Sequence, residues 1–272
     1  MIGFLTLAIL MQVLFPMPAL GSGMVEIVEQ LPEPVPTATP EVKPTQAPRR
    51  TPAPSDPNVQ RMKEQPKSAS GNIRLYTKST LESDLRLNAQ TLSFPADGLP
   101  VPLLYQFNYA TPFCTCGGRQ RSVKTSGCGA VVASMIDLYV NGNLDQTPYT
   151  ILYHAAEVGN YIGQGFTFPV LQEIIEGFGV KTSYVQKSEA AMREALEDGN
   201  LVVLCMGPGT FTYNGHYILV RGLDENGDGL VNDPNSEEHS RSHYTLRKLN
   251  RESKAGYMLI VSAKLRKHKK TA

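Results

Sequence analysis

The chain has 272 residues, with 26 Lys and Arg against 25 Asp and Glu, a formal charge of +1, 4 Cys, 20 Pro and no Trp. That balance excludes a strong global field steering the protein toward nucleic acid or an acidic surface. Half of the prolines (Pro32, Pro34, Pro36, Pro40, Pro44, Pro48, Pro52, Pro54, Pro57 and Pro66) fall in one early stretch, which excludes a single globule over the whole length.

Residues 2–20 carry no charged side chain and are mostly Leu, Ile, Phe, Met, Val and Ala. Such a run approaches the roughly 20 residues needed to cross a bilayer. Pro16 and Pro18 interrupt its far end, and Ala19-Leu20-Gly21 offers small residues to a signal peptidase. Residues 1–23 are therefore expected to be a signal peptide or a membrane anchor, which makes the protein secreted or extracellular. No Lys or Arg precedes the run, and no lipid-attachment Cys lies near the cleavage point. In residues 24–71 proline recurs every two to four positions. Each proline fixes φ and removes an amide donor, and few apolar side chains offset the entropy of ordering. The expectation is an extended, disordered linker that acts as a stalk.

Folding signals run from Leu75 to Lys264, so one domain is expected over residues 72–272. Residues 127–139 (GCGAVVASMIDLY) place small and apolar side chains at helical spacing. Two more helices are expected at 147–158, opened by a Thr-Pro cap, and at 167–178. A strand at 180–185 precedes a serine-capped helix at 188–197, and further strands follow at 201–206, 216–222, 230–232 and 257–262. Helices first and strands later predict an α+β domain with a helical half on an antiparallel sheet.

Cys128 sits in Ser-Gly-Cys-Gly at the start of the strongest helix. Partial positive charge and free N–H groups there stabilise a thiolate, although a lone Cys also reads as a small buried hydrophobe. His216 opens an apolar strand behind a glycine-rich approach and is the leading base; by itself it would read as a satisfied histidine. His154, His239, His243 and His268 compete poorly, being in a helix, a polar segment and the basic tail. Asp233 follows one hairpin later and, by strand alternation, shares a face with His216 while Asn232 points away. Such a group would fix the imidazole tautomer. Gln106, upstream in YQFNY, could join the Cys128 N–H in holding an oxyanion.

The segments LLYQFNY, SGCGAVVASM, GHYILVRGLD and VNDP, within residues 101–234, resemble the papain-like cysteine peptidases of family 39. That bacterial family includes leader-cleaving domains of bacteriocin exporters and free-standing secreted relatives. The resemblance implies a papain-like fold, with Cys128 as nucleophile, His216 as general base and acid, Asp233 as its orienter and Gln106 in the oxyanion hole. It also implies a thiol peptidase that needs no cofactor or metal and acts on a peptide or protein substrate. This sequence departs from the family where Ala130 replaces the usual proline, and in an unusual Cys114-Thr115-Cys116 followed by a basic run over 119–124. Two other readings use the same residues: a different thiol acyl-transfer enzyme, such as a cell-wall amidase or transpeptidase, and an inactive papain-like binding domain.

Three features invite other functions. Residues 224–229 (DENGDG) match half of a calcium loop, but Asn235 stands where its closing Glu belongs, so a hairpin turn is expected. Cys114, Cys116 and Cys205 lack a convincing fourth metal ligand; a disulfide would suit an exported protein, and Cys205 reads as core. The tail KLRKHKK at 264–270 reads as a solvated terminus, able to touch anionic wall polymers or a membrane surface, and no nucleic-acid motif accompanies it.

Overall fold

A computed structural model describes residues 73–265; the expected leader, the Pro-rich linker and the tail beyond Leu265 lie outside them. The described chain opens with a short strand, β1 (Arg74–Leu75), and one helical turn, α1 (Glu82–Leu85). A 3-10 turn at Gln106–Asn108 leads to a hairpin of β2 (Pro112–Cys116) and β3 (Arg119–Ser122). Gly117 and Gly118, at φ +56° and +73°, close that hairpin in a conformation costly for other residues. Next come α2 (Val123–Ser126), α3 (Cys128–Asn141), α4 (Pro148–Glu157) and α5 (Phe168–Gly177). The remainder runs β4 (Thr182–Gln186), α6 (Glu189–Glu197), β5 (Leu201–Met206), β6 (His216–Leu223) and β7 (Gly229–Asn232). It finishes with α7 (Glu237–Arg241), β8 (His243–Tyr244), α8 (Leu246–Glu252) and β9 (Tyr257–Val261).

Local chemistry sets these boundaries. The Thr147 hydroxyl accepts the Thr150 amide at 3.1 Å and Pro148 occupies the first turn, so α4 starts where its sequence predicts. Ser188 caps α6 in the same way, at 3.0 Å from the Ala191 amide. Gly142, at φ +66°, ends α3 in the left-handed conformation that favours glycine. β4 begins two residues later than its apolar run suggests, because Val180 is consumed as a buried plug after α5.

Among the described residues the strands form two antiparallel sheets, β1-β2-β3 and β4-β9-β5-β6-β7-β8. The larger sheet is covered on both faces. Val203, Cys205, Tyr217, Leu219, Leu259 and Val261 pack with α3, α4 and α5. Val202, Leu204, Met206, Ile218, Val220 and Met258 pack with Met192, Ala195 and Leu196 of α6 and Leu246 and Leu249 of α8. Strand alternation divides the two sets, and two-sided burial is why LVVLCM is apolar without a break. On α3, Val131, Val132, Met135 and Ile136 are all fully buried, each contributing about 1.5–3 kcal/mol of apolar burial. The thiol-bearing helix is thus the axle of the helical half, and the fold is the α+β arrangement expected.

The hairpin β2–β3 and the helices α7 and α8 were not legible as elements. PFCTCGGRQRS lacks apolar alternation, and its strands are held by pairing such as Thr115 with Gln120 and Cys116 with Arg119. Residues 224–229 form the expected turn: the Asp224 carboxylate accepts the Asn226 and Asp228 amides, each at 2.9 Å, and His243 at 2.7 Å. No helix of the described residues is long and apolar enough to cross a membrane.

Candidate active site

Two glycines shape the start of α3: one lets the chain turn closely on α2, the other lets the helix approach β6. A Cβ at Gly127 would lie 2.5–2.7 Å from Val123 atoms, and one at Gly129 would meet the rings of Phe166 at 3.0 Å and Tyr217 at 3.2 Å. With hydrogen at Gly129, Cys128 is seated against the first residues of β6. Its sulfur receives backbone N–H groups of Tyr217 and Gly129 and a hydrogen bond from the His216 ring.

His216 is buried at the beginning of β6, paired across the sheet with Met206. Its Nε2 lies 2.6 Å from Asp233 Oδ1, which leaves Nδ1 as the nitrogen facing the thiol. Asp233 stands one residue beyond β7. Asn232 pairs with Leu219 and turns to the helical side, where its amide donates to the Val101 carbonyl at 3.1 Å and its oxygen accepts Arg221 Nε at 2.9 Å. The next residue takes the opposite face and meets the imidazole, as strand alternation predicts.

The Asp233 side chain has no exposed surface. Its Oδ1 also accepts the Asn235 amide at 2.8 Å, while Oδ2 lies 2.7 Å from His239 Nδ1. Ser240 Oγ accepts the Asp233 amide at 2.9 Å. The sequence places His239 in a polar segment; the structure brings it to the aspartate. The legible signal was Ser236, a helix cap followed by Glu237 and Glu238, since a helix begun there folds His239 back over the preceding turn.

Gln106 is buried in its 3-10 turn, and its backbone amide donates to the Pro234 carbonyl at 2.8 Å, joining that turn to the Asp233 segment. Its side-chain Nε2 donates to the Lys124 carbonyl at 3.3 Å, one turn before the cysteine. One of the two amide protons is therefore used, and the side-chain Oε1 is buried without a hydrogen-bond partner.

The charges reinforce one another. Burial by itself raises the Cys128 pKa, but the hydrogen bond and charge of His216, with the two backbone N–H groups, bring it below the ordinary thiol value. Burial by itself lowers that of His216, and the Asp233 hydrogen bond together with the sulfur outweighs it and raises the pKa. Asp233 is raised by burial yet held below the usual carboxylate range by His216, Asn235 and His239. Opposite shifts on the two members of a contacting pair favour thiolate and imidazolium, the nucleophilic form of a cysteine.

Of the other cysteines, Cys114 and Cys116 lie on β2, and Cys205 lies on β5 beside Tyr217. No disulfide joins Cys114, Cys116, Cys128 and Cys205 to one another, unlike the pairing that would suit an exported protein. Cys205 is core, opposite Tyr217 on the neighbouring strand, and burial raises its pKa. Among the described residues no cluster of three or more His, Cys, Asp or Glu is placed to hold a metal ion. A cavity of about 640 Å³ between α4 and α5, lined by Lys78, Gln146, His154, Glu173 and Phe178 among others, includes none of the four predicted site residues.

A thiol at a helix N-terminus, set against a histidine–aspartate pair on an antiparallel sheet, defines the papain-like cysteine-peptidase class. The chain belongs to the Peptidase_C39 like family, whose model matches residues 99–260. Solved structures that the chain is similar to include the peptidase domain of Streptococcus ComA, a bi-functional ABC transporter involved in quorum sensing (17% identity over 51% of this chain and 92% of that one, TM-score 0.40). A C39-like peptidase from Bacillus anthracis is also similar (14% identity, 65% and 100% coverage, TM-score 0.43). So is a double glycine motif protease from an AMS/PCAT transporter (14% identity, 63% and 98% coverage, TM-score 0.37). No curated protein matches the chain.

Proposed function

We propose that this cysteine peptidase domain hydrolyses peptide bonds through a covalent thioester on Cys128. The observation that carries the reading is the continuous contact from the Cys128 sulfur through the His216 ring to the buried Asp233 carboxylate. The thiolate attacks a substrate carbonyl carbon, and the negative charge that develops on the carbonyl oxygen is held by the Cys128 amide and the side-chain amide of Gln106. His216 gives its Nδ1 proton to the departing amine as the C–N bond breaks. It then takes a proton from water, whose oxygen attacks the thioester and releases the acid and the thiolate. Asp233 stays ionised throughout, holding the ring so that Nδ1 faces sulfur.

In this proposal residues 24–71 carry the catalytic domain on a stalk behind a leader that is either cleaved or retained as an anchor, outside the cell. Cell fractionation with an antibody to the domain tests the location. The chemistry is tested by trapping Cys128 with an electrophilic probe, and by digesting a peptide library and purified cell wall in parallel. Cys128→Ala should lose all hydrolysis with its melting temperature retained, and His216→Ala should lose labelling. Turnover by Cys128→Ala, or cleavage of wall alone, overturns the peptidase reading.

A further inference from the structure

Asp233 is more fully held than its role toward one histidine requires. It is an ionised, fully buried carboxylate, so it can only accept hydrogen bonds. Both imidazoles that touch it must therefore donate: His216 from Nε2 to Oδ1 at 2.6 Å, and His239 from Nδ1 to Oδ2 at 2.7 Å. The two contacts approach different oxygens and fix the rotation of the carboxylate plane. His239 is itself braced. Its amide donates to the Ser236 hydroxyl at 3.1 Å, and its ring meets Phe211 edge-on at 5.2 Å and Tyr244 at 6.3 Å. Phe211 comes from the loop between β5 and β6 that ends at His216, so the brace and the base are joined through one short segment.

We infer that His239 is a positioning residue for the thiol site: by holding Asp233 Oδ2 it keeps the carboxylate turned to His216, and through His216 keeps Cys128 ionised. Without that donor, Oδ2 is left buried and unpaired. The carboxylate then takes a proton or rotates toward water, since a hydrogen bond to the charged form is what favours ionisation there. Either response loosens His216 and returns the sulfur toward its neutral thiol. His239 touches no reacting atom in this scheme.

The proposal gives His239 a place in the thioester reading but is tested without a substrate. Iodoacetamide consumes thiolate: sulfur displaces iodide and forms a carbon–sulfur bond, so its rate reports the ionised fraction of Cys128. Rates are measured at about pH 6, where an ordinary thiol is protonated, with labelling at Cys128 located by peptide mass analysis. His239→Leu removes the donor, and the rate should fall about tenfold, the change expected for losing one charge-assisted hydrogen bond. His239→Asn places an amide N–H where Nδ1 stood and should restore most of that loss. A merely structural role would not separate the two substitutions. Should His239→Leu fail to fold, His239→Gln, whose amide reaches the Nε2 position instead, is compared with His239→Asn in its place. A rate for the donor-less variant within about twofold of wild type, or an Asn variant as slow as the other, overturns the inference. Normal His239 dependence in a protein that cleaves no peptide would leave this inference standing while overturning the hydrolase, so the two failures are distinguishable.

Discussion

Replacing Asp233 with alanine takes away the acceptor for three donors at once: His216 Nε2, His239 Nδ1 and the Asn235 amide. An orphaned buried donor costs about 1–3 kcal/mol. His239 is 23% exposed in its side chain, so water can replace its lost partner, whereas His216 is 6% exposed and stays dry. Two uncompensated donors remain, one of them charged, and the expected loss is about 3–5 kcal/mol, the range for breaking a buried ion pair from one side. Urea unfolding should show this as a lower midpoint at unchanged slope. The sign of the pH dependence follows from the lowered pKa of Asp233. Its stabilising contribution is complete above the unfolded carboxylate pKa and is lost as pH falls through the folded value. The gap between wild type and Asp233→Ala should therefore narrow in acid. A loss below about 1 kcal/mol at neutral pH, or a gap that widens on acidification, would refute the buried His–Asp–His arrangement.

Two further outcomes follow from the same geometry. Because His216 lowers the Cys128 pKa and is itself raised, iodoacetamide labelling should begin below the ordinary thiol range and hold level until His216 loses its proton. His216→Ala should move that rise to higher pH, and a profile unchanged by the substitution would show the pair is not coupled. Asn232→Ala removes the acceptor for buried Arg221 Nε and the donor to Val101. A loss of about 2–4 kcal/mol should appear in urea melts, with labelling of Cys128 kept once the protein is folded.

Much of the site was legible because its members lie at punctuated places in the chain. Gly127 and Gly129 mark the helix start at Cys128, and one-residue alternation separates Asn232 from Asp233. For His239 only the Ser236 cap is local; its partnership depends on a five-residue helix turning back over the Asp233 segment. The β2–β3 hairpin escaped for a related reason: its strands are specified by pairing and two glycines, not by apolar periodicity.

The early prolines and near-neutral charge already separated an apolar leader, a spacer and one folded domain as expectations. Apolar periodicity, capping residues and short motifs determined an α+β domain with a thiol at a helix start. These are local properties, carried by side chains a few positions apart. Tertiary structure decided the rest: which oxygen of Asp233 meets which histidine, how the clearance at Gly129 seats α3 on β6, and that no disulfide joins the four cysteines. Those depend on angles and contacts between segments distant in the chain, which no local pattern encodes.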